Sequence, residues 1–247
     1  MYVGIMRYGI FSDIHSNLEA LNAVLAAYKD EAVDTYLCIG DLVGYAANPK
    51  ECIEKVKAIT GVIVAGNHDW AAADLFGLNY FSPLAKEAII WTKGNLGKEQ
   101  RYFLGSLKLV YRNEDLALVH ATLDNPGEFE YMDDEYMAGK SFELMQENIC
   151  FTGHTHVVGV FIQDRAGRIH YHEDDSADID PENKYIINVG SVGQPRDLNP
   201  KAAYSIYDTE KKNVRIKRVD YDIRTAKNKI DAAGLPEVLG QRLLKGK

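Results

Sequence analysis

Short apolar runs that end in polar motifs constrain the fold of this chain more than any other feature. Residues 7–12, 35–39 and 62–65 are three such runs, and segments with helical spacing separate them. Strands that alternate with helices in this way predict βαβ units and a mostly parallel sheet. In open α/β sheets a ligand site lies beyond the carboxyl ends of the strands. The polar motifs are therefore expected to meet at one edge of the sheet.

The polar motifs share a narrow set of side chains, namely carboxylates, one amide and imidazoles. Five of the seven histidines of the chain fall among them. Such donors suit divalent first-row metal ions, and two neighbouring ions can activate water and bind a phosphoryl group. Each motif alone is a weak signal, but their joint occurrence at strand ends predicts a metal site. The motifs are Asp13-Ile14-His15, Gly40-Asp41, Gly66-Asn67-His68-Asp69, His120 and Gly153-His154-Thr155-His156.

The rest of the chain predicts more helices, then a region rich in strands, then a helical tail. The polar stretch 173–183 is interpreted as an acidic loop, and residues 222–247 as one or two helices broken near Gly234-Leu235-Pro236. Asn48-Pro49 and Ser82-Pro83 each predict a helix N-cap followed by a proline in the first turn. Asn113-Glu114-Asp115 predicts the turn of a hairpin within 107–120. Helices are predicted over 18–29, 50–58, 83–94, 99–104 and 137–146, and further strands, mostly antiparallel after 157, over 149–152, 157–162, 168–171, 184–189, 203–207 and 214–219.

Composition narrows the class of protein. The net charge of −8 disfavours stable binding to nucleic acid or to anionic membranes, so a phosphate substrate needs local positive charge. Cys38, Cys52 and Cys150 cannot form a closed set of disulfides, and we interpret them as reduced thiols of a cytoplasmic protein. Residues 1–11 show no signal-peptide pattern, and no apolar run approaches the ~20 residues of a membrane span.

The order of the motifs resembles that of the calcineurin-like metallophosphoesterase superfamily. Residues 40–45 and 190–196 are also similar to a small bacterial and archaeal subgroup that includes phosphodiesterases and dinucleoside-polyphosphate hydrolases. The resemblance implies an α/β (α+β) fold, a four-layer αββα sandwich of two mixed β-sheets flanked by helices. Residues 1–221 would form the metallophosphoesterase domain and residues 222–247 a C-terminal helical extension of the same domain.

The resemblance further implies two divalent metal ions. Mn²⁺ is the expected metal, and Fe, Zn²⁺, Ni²⁺ or Co²⁺ also suit these donors, whereas Mg²⁺ fits four imidazoles less well. Two carboxylates leave the pair of ions with net positive charge, which favours an anionic phosphate, and a hydroxide bridging the ions would attack phosphorus in line. One ion would be held by Asp13, His15, Asp41 and His156, and the other by Asp41, Asn67, His120 and His154, with Asp41 bridging.

Residues beside the expected ligands have further candidate roles. The resemblance implies that His68 stabilises the transition state and protonates the leaving oxygen. Asp69 either orients His68 or caps a helix, and the cap is favoured. Asn17 is a candidate for substrate phosphate or for a helix N-cap, and Arg196 for a phosphate clamp or a salt bridge. Tyr45 is a candidate for stacking on a nucleobase or for simple packing.

For two further groups of residues, a structural role competes with a functional one. Trp70 and Phe76 follow the third motif, and helix packing is their default role. His170 and His172 share one face of a predicted strand, which suggests either another metal site or, with greater weight, an exposed face.

We therefore expect a dinuclear metal-dependent phosphoesterase acting on a small phosphorylated substrate, either a phosphodiester or a nucleotide polyphosphate of the dinucleoside type. A phosphomonoesterase acting on a small metabolite or a protein phosphate is the alternative. A catalytically weak binding scaffold is a second alternative. Scaffold relatives typically lack the histidine that this chain has at position 68, which favours an enzyme. A DNA-repair nuclease is disfavoured by the net charge and by the lack of a basic stretch. The sequence leaves homo-oligomerisation open.

Overall fold

The computed structural model describes residues 5–247. Residues 1–4 lie outside the described residues. They belong to the segment 1–11, in which the sequence shows no signal-peptide pattern. Eleven strands occur among the described residues, and they are β1 Arg7–Phe11, β2 Thr35–Cys38, β3 Val110–Arg112, β4 Ala117–Val119, β5 Ile149–Thr152, β6 Val158–Gln163, β7 Ile169–His172, β8 Ser176–Asp178, β9 Lys184–Val189, β10 Ala202–Asp208 and β11 Asn213–Val219.

Eight α-helices occur in the same part of the chain. Asn17 and Ser82 cap the first and fourth through side-chain oxygens, and Pro49 and Pro83 open the second and fourth, as predicted. Asn48 precedes the second helix, but its side chain donates to Glu51 and caps no backbone N–H. The helices are α1 Leu18–Tyr28, α2 Pro49–Lys57, α3 Asn67–Ala72, α4 Pro83–Asn95, α5 Lys98–Ser106, α6 Glu135–Leu144, α7 Ile223–Ala232 and α8 Glu237–Leu243.

The strands form two mixed sheets. One has the order β2-β1-β10-β11-β8, with β1 parallel to β2 and antiparallel to β10. The other has the order β3-β4-β5-β9-β6-β7, with β5 parallel to both β4 and β9. The predicted hairpin is confirmed as β3 and β4, and Asn113 forms its turn by accepting the backbone N–H groups of Asp115 and Leu116.

Alternation of side chains along the strands places the two sheets face to face between helices. Ile10 of β1 joins Phe151 and Ile187 of the second sheet in the inner core, whereas the next residue, Phe11, packs on the opposite side with Leu21 of α1. Helix α6 covers the outer face of the second sheet through Phe142 and its neighbours. The predicted four-layer αββα sandwich is confirmed.

Three details differ from the sequence prediction. Residues 62–65 form only isolated parallel bridges, Cys38 with Ile63 and Val64 with Lys108, because the run is too short to extend the ladder. The predicted acidic loop contains β8, a short polar edge strand paired with β11. The late strands pair antiparallel with one another, as predicted, but β9 also pairs in parallel with the earlier strand β5.

The C-terminal tail folds as two helices, as predicted, with the break at Gly234, whose φ is +70°. Helix α7 packs against α1 and α8, and Leu239 and Leu243 of α8 share a buried cluster with Tyr45 and Ala85. The division of the chain at residue 221 stays a prediction. Among residues 5–247 no helix combines the length and the apolar character needed to cross a membrane.

Candidate metal centre and active site

The seven predicted metal ligands converge at one edge of the sandwich. Asp13 and His15 follow β1, Asp41 follows β2, His120 follows β4, and His154 and His156 follow β5. Asn67 is the first residue of α3. All seven side chains belong to buried residues, although polar and charged side chains usually remain in water unless they are paired or bind a metal.

An unusual backbone conformation accompanies most of these ligands. Asp13, His15, Asp41, His154 and His156 all have φ between +48° and +66°, in the left-handed region. This conformation costs roughly 1–3 kcal/mol for a residue with a Cβ, and such strain concentrates at functional sites. The turns after the strands thereby direct successive side chains into one small volume.

The first group of ligands surrounds Asp13. Its Oδ1 lies 3.1 Å from Nε2 of His156 and 3.6 Å from Nε2 of His15. The same two imidazole nitrogens are 3.0 Å apart. The three donor atoms are therefore close enough to share one ion.

The second group surrounds Asp41. Its Oδ2 lies 3.3 Å from Nε2 of His120 and 3.5 Å from Nε2 of His15. Nδ1 of His154 lies 3.2 Å from Nε2 of His120, and these three residues, Asp41, His120 and His154, form a second compact set of donors. Because Asp41 contacts both groups, it occupies the position expected of a bridging ligand.

Backbone carbonyl groups fix the orientation of three of the imidazoles. Nδ1 of His15 donates to the carbonyl of Val43, and Nδ1 of His156 donates to that of Gln194. Nδ1 of His120 donates likewise to the carbonyl of Ile39 at 2.7 Å. Each Nε2 is then an unprotonated acceptor in the neutral ring, which is the usual arrangement for a metal-binding histidine.

The donor set fits divalent metal ions on its unsatisfied atoms. Oδ1 of Asp13 and Oδ1 of Asn67 are buried acceptors that have no hydrogen-bond partner among the described residues. Two Nε2 lone pairs facing each other at 3.0 Å in His15 and His156 also repel unless a cation lies between them. A buried acceptor without a partner costs about 1–3 kcal/mol, so several at one point indicate a cation site.

Electrostatics set the protonation states of these ligands. Burial alone would raise the pKa of Asp13, but the facing imidazoles of His156 and His120 hold it well below its usual range. Burial lowers the pKa of His154 to about 3 and that of His156 to about 4, so both rings are neutral near pH 7. Burial also opposes charge on His120, yet the carboxylates of Asp41 and Asp13 raise its pKa to about 9. His120 must therefore lose a proton when it binds a metal.

His68 lies beside the donors at the start of α3 and lines the adjoining cavity. Its ring centroid is 4.8 Å from that of His15, 4.6 Å from that of Tyr45 and 5.1 Å from that of Phe81. Burial lowers the pKa of His68 well below its usual value, although the carboxylate of Asp41 opposes this shift. A neutral imidazole therefore borders the site and can donate its N–H to a bound oxygen.

Asp69 connects the second and third motifs. Its Oδ1 accepts the backbone N–H groups of Leu42 and Val43, and its Oδ2 accepts that of Gly66, the N-cap of α3. Asp69 therefore has the capping role that the sequence favoured. Burial and the neighbouring Asp41 carboxylate raise the pKa of Asp69 to about 8.

The three predicted substrate-binding residues lie in different environments. Arg196 and Tyr45 line the cavity, and Nη2 of Arg196 donates to the hydroxyl of Tyr45 and to Oε1 of Gln194. Asn17 does not line it, because its Oδ1 caps α1 and its Nδ2 donates to the carbonyl of Gly193 and the hydroxyl of Tyr221. The structure therefore supports the capping role of Asn17 and does not bring it to the cavity.

The segment 190–196, identified by resemblance alone, fastens the other motifs together. Ser191 Oγ and the Gly193 N–H both donate to the carbonyl of Asp13, and the Arg196 N–H donates to that of His156. A Cβ at Gly193 would lie 1.8 Å from the carbonyl oxygen of Ile14, which explains the glycine. The role of this segment could not be predicted from local sequence, because each contact joins residues that are far apart in the chain.

A cavity of about 480 Å³ opens beside the donors. One part of its wall is aromatic, and Arg242 and Lys247 from the C-terminal tail border another part. The place of these two cations at the cavity could not be predicted, since nothing in the local sequence pattern indicates where the tail returns. The aromatic side chains of the wall are Tyr45, Phe76, Tyr80, Phe81, Phe129 and Tyr131.

The remaining marked residues are mostly structural. Trp70 packs edge-on against Phe129, whereas Phe76 also reaches the cavity wall. His170 and His172 lie on one face of β7 with about half of each side chain exposed, as the favoured interpretation had it. The three cysteines, Cys38, Cys52 and Cys150, are free and buried.

Comparison with known proteins decides the family. The family model described as the calcineurin-like phosphoesterase superfamily domain matches residues 6–212. The chain belongs to this superfamily. An uncharacterized protein from Methanocaldococcus jannaschii is 39% identical over 242 residues, which cover 96% of this chain and 97% of that protein. The superfamily assignment supports a phosphoester hydrolase, and the expected resemblance is confirmed.

Solved structures agree with the fold. A metallophosphoesterase from Sphaerobacter thermophilus superposes with a TM-score of 0.88 at 37% identity, over 99% of this chain and all of that one. A hypothetical protein from Pyrococcus horikoshii superposes with a TM-score of 0.79 at 20% identity, over 98% of each chain. The first similarity extends through the C-terminal tail, so the tail is part of the shared architecture.

Proposed function

We propose that this protein hydrolyses a phosphodiester or a nucleotide polyphosphate with the help of two divalent metal ions. The observation that carries the proposal is the convergence of two carboxylates and four imidazoles at one point. Among the described residues, buried oxygen acceptors of Asp13 and Asn67 have no hydrogen-bond partner there. Asp13, His15, Asp41 and His156 would hold one ion, and Asp41, Asn67, His120 and His154 the other. When bound, the ions supply the positive charge that activates a nucleophile and stabilises the phosphoryl oxygens.

Mn²⁺ is the metal that we propose. The donor set mixes carboxylate and amide oxygens with imidazole nitrogens. It suits Mn²⁺ better than it suits Mg²⁺, which typically takes oxygen ligands alone. Fe, Zn²⁺, Ni²⁺ and Co²⁺ suit the same donors, so metal availability decides among them as much as affinity does. The three buried free thiols agree with a reducing compartment, and we infer a cytoplasmic location.

His68 is proposed as the residue that acts on the leaving group. Its ring borders the cavity beside Asp41 and is held between His15, Tyr45 and Phe81. Its neutral imidazole can donate an N–H to the oxygen on which negative charge develops, and this contribution is typically worth about 10²–10⁴ in rate. Arg196, which lines the same cavity, is placed to bind a phosphate oxygen through its guanidinium group.

The cavity wall supports a substrate with an aromatic group. The ring of Tyr45 is occupied by His15, His68 and the guanidinium group of Arg196, which agrees with packing rather than base stacking. Tyr80 packs on Phe76 and Tyr131 on His154. Both tyrosines line the same cavity and are still 73% and 51% exposed, so the remaining surface of each ring is open to a nucleobase. This wall favours a nucleotide over a small aliphatic phosphomonoester.

The experiment is hydrolysis of bis(p-nitrophenyl) phosphate by purified protein with added Mn²⁺, beside chelated protein and the His68→Ala variant. We expect turnover that disappears on chelation and falls about 10²–10⁴-fold in His68→Ala while two metal ions stay bound. Turnover near wild type in the variant would reject the role of His68. Absence of turnover with all five metals, despite two bound ions, would reject the diesterase proposal and favour a narrow monoesterase or a scaffold.

A further inference from the structure

The C-terminal tail brings positive charge to a cavity whose other cationic wall residue is Arg196. Arg242 of α8 and Lys247 both line the cavity that Asp41 and His68 border. Neither side chain forms an ion pair with any carboxylate among the described residues, whereas Lys227 and Lys229 of the same tail do so. The chain as a whole carries a net charge of −8, so these cations do not reflect a generally basic surface.

The tail is held in place by specific contacts. Leu239 and Leu243, on either side of Arg242 in sequence, are buried in the cluster that includes Tyr45 and Ala85. Two of these partners, Tyr45 and Ala85, themselves line the cavity, so α8 forms its border. The position of Arg242 is therefore fixed by the packing of its own helix.

A second contact holds the end of the tail. The backbone N–H of Leu198, two residues after Arg196, donates to the carbonyl of Gly246 at 2.9 Å. Gly246 has φ of +62°, and a Cβ there would lie 2.6–2.9 Å from backbone atoms of Asn199. Only glycine allows this approach, which keeps Lys247 beside the segment that carries Arg196.

We propose that Arg242 and Lys247 form, with Arg196, a second phosphate subsite that selects substrates with a chain of two or more phosphates. This inference rests on the proposed function, because it takes one phosphoryl group to lie at the metal donors. Further phosphates of the chain would then extend toward the three cations, while a nucleobase contacts Tyr80 or Tyr131. Glu128 also lines the cavity and bears the opposite charge, and water screens it as it screens the equally exposed Lys247. Arg196, Arg242 and Lys247 together outweigh the single charge of Glu128.

The test compares two substrates in the full-length protein loaded with Mn²⁺. Diadenosine tetraphosphate has a phosphate chain, whereas bis(p-nitrophenyl) phosphate has one phosphate between two aromatic groups. We expect the variant Arg242→Ala with Lys247→Ala to lose about tenfold or more in kcat/KM for the first substrate, since hydrogen bonds between charged groups contribute strongly. For the second substrate we expect a change below about twofold. Lys245→Ala, an exposed lysine of the same tail outside the cavity wall, is the matched control and should match wild type.

The variant Gly246→Ala gives an independent perturbation. It keeps both cations but displaces the end of the tail, so it should reduce turnover of diadenosine tetraphosphate in the same selective way. Equal loss with both substrates in the double variant, or no loss with either, would overturn the subsite. Thermal unfolding of each variant shows whether the fold is intact.

A binding measurement separates this inference from the proposed function. Calorimetric titration of the Mn²⁺-loaded protein with the Mn²⁺ complex of tripolyphosphate, in buffer with excess Mn²⁺, should show weaker binding in the double variant than in wild type or Lys245→Ala, and the difference should shrink at high salt. Failure of all proteins to hydrolyse either substrate would reject the proposed function. Equal tripolyphosphate binding in all three proteins would reject the subsite even if hydrolysis were found.

Discussion

The substitution Gly66→Ala tests how closely the second and third motifs are fitted together. Gly66 precedes α3 and has φ of −95°, which alanine adopts without strain. A Cβ at this position would lie 2.0 Å from Oδ1 of Asp41 and 2.4 Å from the backbone nitrogen of the same residue. Any effect of the substitution therefore arises from contact with the predicted bridging ligand.

The size of the effect follows from these distances. Real Cβ atoms essentially never lie within 3.0 Å of a neighbouring heavy atom, so the carboxylate must move by about 1 Å from its 2.0 Å position. Catalytic and metal sites require placement within about 0.5 Å. We therefore expect Mn²⁺ affinity to fall about 10–100-fold, as when outer contacts of a metal site are disturbed. The overpacking should also lower the free energy of unfolding by about 1–3 kcal/mol.

Metal content after equilibrium dialysis against Mn²⁺, measured by mass spectrometry, reports the number of bound ions, and calorimetry gives their affinity. Gly61→Ala is the matched control, because no atom lies within 4 Å of a Cβ at that position. We expect Gly61→Ala to bind two ions like wild type. If Gly66→Ala also bound two ions with unchanged affinity, the fitted contact between Gly66 and Asp41 would not control the metal centre.

Three further outcomes are expected. Asp41→Asn should reduce occupancy of both ions because it removes the charge of the bridge, and two ions bound as in wild type would exclude that role. Near neutral pH, metal binding should release at least one proton, since the pKa of His120 is raised to about 9 in the metal-free protein; calorimetry in buffers of different ionisation enthalpy measures this, and no release would contradict the protonated ring. Asp69→Asn should lower the free energy of unfolding by about 1–3 kcal/mol in chemical denaturation, because it replaces an acceptor of backbone N–H groups, and unchanged stability would refute that bonding.

The local pattern of the sequence was sufficient for the parts of the fold that depend on neighbours in the chain. The N-caps at Asn17 and Ser82, the proline at the start of α2 and the turn at Asn113 were all predicted and found. Each arises from a side chain that bonds the backbone within four residues or fixes its own φ. The convergence of the donors was predicted from a rule of sheet topology instead. Parallel strands bring their carboxyl ends to one edge of the sheet, so motifs that follow such strands meet there.

Features that depend on distant contacts could not be predicted in this way. The left-handed backbone at Asp13 or His156 has no signature in residue type, since glycine is usual there. The role of segment 190–196 and the position of Arg242 arise from contacts between residues far apart in sequence. Asn17 illustrates the same limit, because its cap was predictable but its withdrawal from the cavity follows from Gly193 and Tyr221.

The most direct test of the metal centre is a crystal structure of the Mn²⁺-loaded protein with anomalous diffraction at the manganese edge. We predict two anomalous peaks about 3.5–4 Å apart, the spacing of two-metal sites, with Asp41 contacting both. Asp13 and His156 should contact one of them, and Asn67 and His154 the other. A single peak, or two peaks of which Asp41 contacts only one, would contradict the dinuclear centre proposed for this chain.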